Sequence, residues 1–266
     1  MDKNLSFQDR SRPLKPTTQS HSCSNPALTE VVSNLSQFKL FRRFTPSELS
    51  WIKKHCSLQT LQRGEALFHE GKPIRNIYLI VKGHLKFSKK DFNGNERAFS
   101  LIGEHEVIEL KARRGAEKHS DSAYALDHVI ALKIPESDFR DYVMGNAKLA
   151  NGILYQKVCT IKRLCNNCMV AYQPAEVRLA YLIWEFRERP GMAQKEGKII
   201  RLGFPLTRKE LSELANTTTE TTIRVVGKWI KKGWVTMDQK KLIIRNISAF
   251  KKIIRKLPLL RINRQK

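Results

Sequence analysis

The chain has 266 residues, with 49 Lys and Arg against 25 Asp and Glu and a formal net charge of +24. That length suffices for one large or two ordinary domains, each with its own core, and no apolar run approaches the roughly 20 residues of a membrane span. The charge favours a polyanionic partner and salt-dependent binding, and it is heaviest at one end, where residues 198–266 carry 18 Lys or Arg against 4 Asp or Glu, a net of +14.

Residues 1–28 are rich in Ser, Thr, Pro and charge, lack the apolar core of a signal peptide and read as a disordered tail. With no export signal, five cysteines, an odd count, argue against a disulfide framework and for the cytoplasm. Residues 28–60 read as short helices. Leu35, Phe38, Leu40 and Phe41 supply their apolar positions, and Thr45-Pro46-Ser47 reads as a helix start. From Leu61 to Pro135 the texture changes to short strands, at Ile77 to Ile80, Leu85 to Phe87, Ala98 to Leu101 and Val129 to Ile134. Gly64, Gly71, Gly83, Gly94 and Gly103 fall at turns between them. Such spacing predicts a small antiparallel roll or barrel.

Asn146 to Tyr172 reads as one long helix. Ala147, Asn151, Leu154, Val158, Ile161, Cys165, Cys168 and Tyr172 recur at alternating four- and three-residue steps, a heptad seam suited to pairing with a second copy. Packing of the same seam against the chain's own strands is the alternative. Cys159, Cys165 and Cys168 invite a metal, an Fe–S cluster or a thiol switch, yet Cys165 and Cys168 equally serve as small apolar seam residues. Cys159, one residue past Val158, points elsewhere. The histidines at 55, 69, 84, 105, 119 and 128 show no ligand spacing. With no phosphate-binding glycine loop or nucleophile elbow, an enzyme is not expected.

Phe204 to Trp234 reads as helix, turn, helix. Thr207 with Glu210 is a capping box, Leu211 and Leu214 form the apolar side of the first helix, and Thr218 or Thr219 caps the second. Ile223, Val225, Val226 and Ile230 are taken as the inner stripe of that second helix, and Gly233 as its end. Its outward side is then Thr219, Glu220, Thr222, Arg224 and Lys228. Glu220 and Arg224, one turn apart, can enter a DNA major groove, the carboxylate accepting from cytosine N4 and the guanidinium bonding guanine O6 and N7. An intrahelical ion pair on a solvated face is the bland alternative. Trp234 to Arg245 reads as a two-stranded wing, with Val235, Leu242 and Ile244 apolar around a turn at Asp238 to Lys241. The terminal stretch KKIIRKLPLLRINRQK is basic and partly apolar, which suits a membrane surface. Pro258 breaks its helix, however, and the winged pattern already accounts for the charge.

The stretch LTRKELSELANTTTETTIRVVGKW resembles the helix-turn-helix of the cyclic AMP receptor protein and fumarate–nitrate reductase regulator (CRP/FNR) family of bacterial transcription factors. The resemblance implies a base-reading pair at Glu220 and Arg224, with Thr219 standing where the cyclic AMP receptor branch has Arg. Thr207, Arg208, Thr218, Thr222 and Lys228 complete the candidate DNA contacts. RGEALFHEGKPIRNIYLIVKGHLKFSKKDFNGNERAFSLIGEHEVIEL resembles the family's cyclic-nucleotide-binding β-roll. Where nucleotide-binding members have a Gly-Glu-Leu turn and an Arg followed by Ser or Thr, this chain has Ile108-Glu109-Leu110 and His119-Ser120-Asp121. A β-branched residue replaces the glycine, imidazole replaces the fixed cation, and Asp121 adds a repelling charge, so cyclic AMP is not the expected effector. The redox-sensing branch places a cysteine cluster near its N-terminus. Only Cys23 and Cys56 precede the long helix here, so that ligand set does not carry over.

The implied fold is α+β: a tail at 1–28, a sensor roll at 29–145, a dimerisation helix at 146–173, a winged helix-turn-helix at 174–250 and a basic tail at 251–266. A homodimer on pseudo-palindromic double-stranded DNA, contacting RNA polymerase and not a membrane, follows from the resemblance. A redox- or metal-sensing module with non-specific nucleic-acid or membrane binding is the alternative.

Overall fold

Helix caps and glycine turns place most of the elements. The computed structural model describes residues 26–33, 35, 41, 44–108, 118–189, 192–196, 199–255 and 257. Most of residues 1–28 and of the final tail, together with Phe38 and Leu40, lie outside that range. Two helices lead, α1 (Pro26–Ser33) and α2 (Pro46–His55). The second begins at Thr45, whose hydroxyl accepts from Glu48 N at 3.3 Å while the Glu48 carboxylate accepts from Thr45 N at 2.6 Å.

Among the described residues eight strands follow: β1 (Ser57–Leu61), β2 (Ala66–Phe68), β3 (Asn76–Lys82), β4 (Leu85–Lys90), β5 (Glu96–Ile102), β6 (Val107–Ile108), β7 (Ser122–Ala125) and β8 (Val129–Pro135). They form two four-stranded antiparallel sheets, β1-β8-β3-β6 and β2-β7-β4-β5. Ser57 to Thr60, expected as helix, are strand instead, because they pair in register with Ile130 to Lys133. The turn joining β3 to β4 requires glycine: Gly83 has φ +88°, and a Cβ there would lie 2.4 Å from the His128 carbonyl oxygen. Phe68, Tyr78, Ile80, Leu85, Ala123 and Val129 fill the roll. The other face of the first sheet buries Leu79, Leu132 and Ile134 beneath Leu28, Val32, Leu35, Phe41 and Ile52.

Beyond the roll come α3 (Glu136–Met144) and the long α4 (Ala147–Ala171), whose N-cap Asn146 accepts from Leu149 N at 3.0 Å. The rest is α5 (Ala175–Glu188), β9 (Ala193–Glu196), β10 (Ile199–Pro205), α6 (Arg208–Leu214), α7 (Thr219–Lys231), β11 (Val235–Asp238), β12 (Lys241–Ile244) and α8 (Ile247–Ile254). The third sheet, β11-β12-β10-β9, is antiparallel throughout, and its wing turn puts Gln239 and Lys240 at φ 47° and 64°. Leu179, Ile183, Phe186, Phe204, Leu211, Val226, Trp229 and Phe250 make the core here, which also takes in Leu101 and Leu126 of the roll. The two halves therefore share one hydrophobic cluster. No described helix is long and apolar enough to cross a membrane.

Candidate nucleic-acid interface and effector cavity

Local capping builds the helix-turn-helix. The Thr207 hydroxyl accepts from Glu210 N at 3.1 Å, and Glu210 returns a carboxylate oxygen to Thr207 N at 2.8 Å. Asn216 takes a left-handed φ of 49° in the turn, a conformation its short polar side chain tolerates. The Thr218 hydroxyl then accepts from Thr221 N at 3.2 Å and starts α7.

The rotation of α7 differs from the one expected. Its buried arc is Thr222, Val225, Val226 and Trp229, whereas Ile223 is 54% exposed and Ile230 41%. Trp229 sets this rotation. Its ring packs edge-on against Phe250 with centroids 4.9 Å apart, and its indole N–H donates to Glu176 at 3.1 Å. Burying so large a side chain outweighs exposing two isoleucines, since an aromatic residue removes about 150–250 Å² from water. Thr222, taken as outward, is therefore fully buried. Glu220 and Arg224 face solvent. The Thr219 hydroxyl lies 3.2 Å from that of Ser212, Lys228 donates to both Glu176 carboxylate oxygens at 3.2 Å, and half-buried Arg208 reaches the Met237 sulfur of the wing at 3.7 Å.

The start of α6 is also fastened to the roll. Lys86 donates to Glu210 at 3.1 Å, Arg63 stands 3.8 Å from the same carboxylate, and Ala98 N donates to Glu213 at 3.1 Å. Burial raises the Glu210 pKa, but the Thr207 N–H, the Lys86 ammonium and the Thr207 hydroxyl outweigh it, leaving a net lowering. A second link runs through the end of α5. Arg189 donates to Leu101 O at 2.8 Å and to both Glu106 oxygens at 2.9 and 3.1 Å. Nearby, Arg163 of α4 and Glu185 of α5 pair at 3.4 Å. Desolvation lowers Arg163, helped by the Arg189 charge, and raises Glu185 against the pull of both guanidiniums. Burial, with Glu185 adjoining, pushes Tyr181 up to about 12.

Glu106 also lines a cavity of about 170 Å³ between the roll and α4, with Ile108, Ser120, Asp121, Lys157 and Thr160 around it. Ile108 is buried there, and Ser120 donates to Asp121 at 3.0 Å. His119 is absent from the wall. Its ring is buried and stacked on Phe68, centroids 3.9 Å apart and planes 8° from parallel. Glu109 lies outside the described residues.

Every position of the α4 seam, from Ala147 through Leu154, Val158, Ile161, Cys165 and Cys168 to Tyr172, is exposed, while Leu149, Ile153 and Val170 face inward. The alternative in which the seam packs on the chain's own strands is thereby excluded. Cys159 is exposed as well. Among the described residues no three His, Cys, Asp or Glu side chains gather closely enough to hold a metal ion.

A β-roll with a cavity against a long helix, followed by a winged helix-turn-helix, defines the architecture of a transcription regulator. Residues 58–146 match the cyclic nucleotide-binding domain model, and residues 177–253 match the Crp-like helix-turn-helix model. The chain belongs to the CRP/FNR family of transcription regulators. It is 21% identical over 211 residues to the CRP-like cAMP-activated global transcriptional regulator of Mycobacterium tuberculosis, covering 79% of this chain and 93% of that one. It is 27% identical over 195 residues to Electron transport regulator A of Shewanella oneidensis, covering 69% and 73%. The fold is shared with FixK2 from Bradyrhizobium japonicum at a TM-score of 0.65 and 15% identity, over 74% of this chain and 96% of that one.

Proposed function

We propose that the protein is a cytoplasmic, homodimeric regulator that reads a pseudo-palindromic operator and is not switched by cyclic AMP. The observation that carries this reading is the solvent-facing pair Glu220 and Arg224, one turn apart on a capped helix whose opposite side is anchored by Trp229. In the groove Glu220 accepts from a cytosine and Arg224 takes a guanine bidentately. Thr207, Arg208, Thr218 and Thr219 lie around the helix starts and serve the backbone. Lys228, neutralised by Glu176, contributes less to phosphate binding than its charge suggests.

Dimerisation through α4 is supported by its continuous exposed seam, since Leu154, Val158 and Ile161 otherwise leave apolar surface in water. Cys165 and Cys168 then pack against their copies. Independence from cyclic AMP is supported by buried Ile108, which stands in the cavity wall in place of an open glycine turn, and by His119, which is stacked on Phe68 and is not part of that wall. A cyclic phosphate needs fixed donors in exchange for its hydration. The divisions at residues 145 and 173 are supported by the ends of α3 and α4, whereas 250 falls inside α8, whose Phe250 and Ile254 belong to the core of the winged half. Contact with RNA polymerase is carried over from the family.

Binding-site selection from random duplexes tests the reading. A two-fold symmetric motif is expected; uniform binding that only salt weakens would overturn it.

A further inference from the structure

Ile223 lies outside the buried side of its own helix. It is 54% exposed in the body of α7, three residues after Glu220 and one before Arg224, while Thr222, Val225, Val226 and Trp229 already supply the buried side. Residues three or four apart are neighbours on a helix surface, so this branched apolar group shares the face of the candidate base readers. A second observation points outward from the same place. Gly227 stands one turn beyond Ile223 and three residues beyond Arg224, inside the helix, and a Cβ built on it would meet nothing within 4 Å. Glycine weakens a helix interior, and neither a left-handed turn nor a packed neighbour calls for it here. The missing side chain leaves clearance for something outside the chain.

The surrounding charge says what that is. Residues 198–266 hold a net +14, which selects a polyanion over an apolar protein surface. On the floor of a DNA major groove the thymine C5-methyl is the apolar group an aliphatic side chain can meet. Every other base edge presents donors or acceptors that isoleucine would leave unpaired. Ile230, on the same line, sits toward the C-terminal end of α7, away from the N-terminal half that reaches bases in this motif.

We infer that Ile223 is a specificity-determining residue that packs on a thymine methyl beside the G·C pair read by Arg224, with Gly227 letting α7 seat close enough for the contact. The inference rests on the DNA-reading assignment and adds to it a requirement for one methyl group per half-site.

The test uses the full-length protein and its selected operator, with deoxyuridine replacing thymine at one symmetric position at a time. Affinity is read by fluorescence anisotropy for wild type and Ile223→Ser. At one position the loss of the methyl should weaken wild type about fourfold per half-site and about fifteenfold for both, as expected for one buried methyl. Ile223→Ser should bind the thymine and uracil operators alike while retaining the G·C preference. If no position is methyl-sensitive, or if Ile223→Ser keeps the same sensitivity, the inference is wrong while the DNA-reading assignment stands. If selection returns no motif at all, both fall.

Discussion

Glu106→Ala should be among the most damaging single changes outside the hydrophobic core. The substitution removes the carboxylate that receives two hydrogen bonds from Arg189, whose side chain is only 10% exposed, and leaves Arg189 and Arg163 to share Glu185. Removing one partner of a buried pair costs about 3–5 kcal/mol because the other charge stays desolvated and uncompensated. Glu106 is 22% exposed, and Arg189 keeps its bond to Leu101 O, so the lower end, about 3 kcal/mol, applies. A cooperative unit of 150–250 residues loses roughly 2–4 °C of melting midpoint per kcal/mol, so a fall of about 6–12 °C is expected by differential scanning calorimetry. Glu106→Gln, which keeps an acceptor but not the charge, should fall between. Adding Arg189→Ala closes a double-mutant cycle. The double variant should lose much less than the two singles together. Additive losses, or a Glu106→Ala midpoint equal to wild type, would refute the claim that this pair ties α5 to the roll.

Leu154→Glu or Ile161→Glu should give a monomer with a folded roll and weakened operator binding, because each places like charges in a desolvated seam; light scattering that still reports a dimer for both would move the interface elsewhere. Titration calorimetry with cyclic AMP should show no micromolar binding, and measurable heat with saturation would return the cavity to ordinary nucleotide recognition. Docking of α6 on the roll should weaken in acid. The folded Glu210 pKa is lowered, so its contribution is complete above the ordinary glutamate value and is lost as pH falls through the lower folded value. Across that window Glu210→Gln should show a shallower decline of melting midpoint than wild type. Parallel curves would mean the carboxylate is not coupled to Lys86.

Local chemistry made much of the fold legible. The capping box at Thr207 and Glu210, the left-handed Gly233 after α7 and the wing strands all depend on residues within a few positions of one another, where sequence speaks directly. The span of α4 was also readable, since a heptad repeated over seven turns has few other meanings. Less visible were β9 and β10. Ala193–Glu196 has no apolar alternation of its own and is a strand because Ile199–Leu202 pairs with it. The rotation of α7 misled because Ile223 and Ile230 are the more obvious inner residues by hydrophobicity alone. The preference for Trp229 rests on Glu176 and Phe250, which arrive from distant segments. The links from Lys86 to Glu210 and from Glu106 to Arg189 join residues 124 and 83 positions apart, and nothing local announces either.

The most direct measurement of the central claim is binding-site selection run side by side with wild type and Arg224→Ala. Arg224 is exposed on α7, so its truncation should leave the fold and the dimer intact. It should remove preference at one G·C pair in each half-site, at a cost of roughly 1–3 kcal/mol there, and leave the remaining positions of the motif in place. An unchanged motif from the Arg224→Ala protein would contradict the assignment of α7 as the helix that reads the bases.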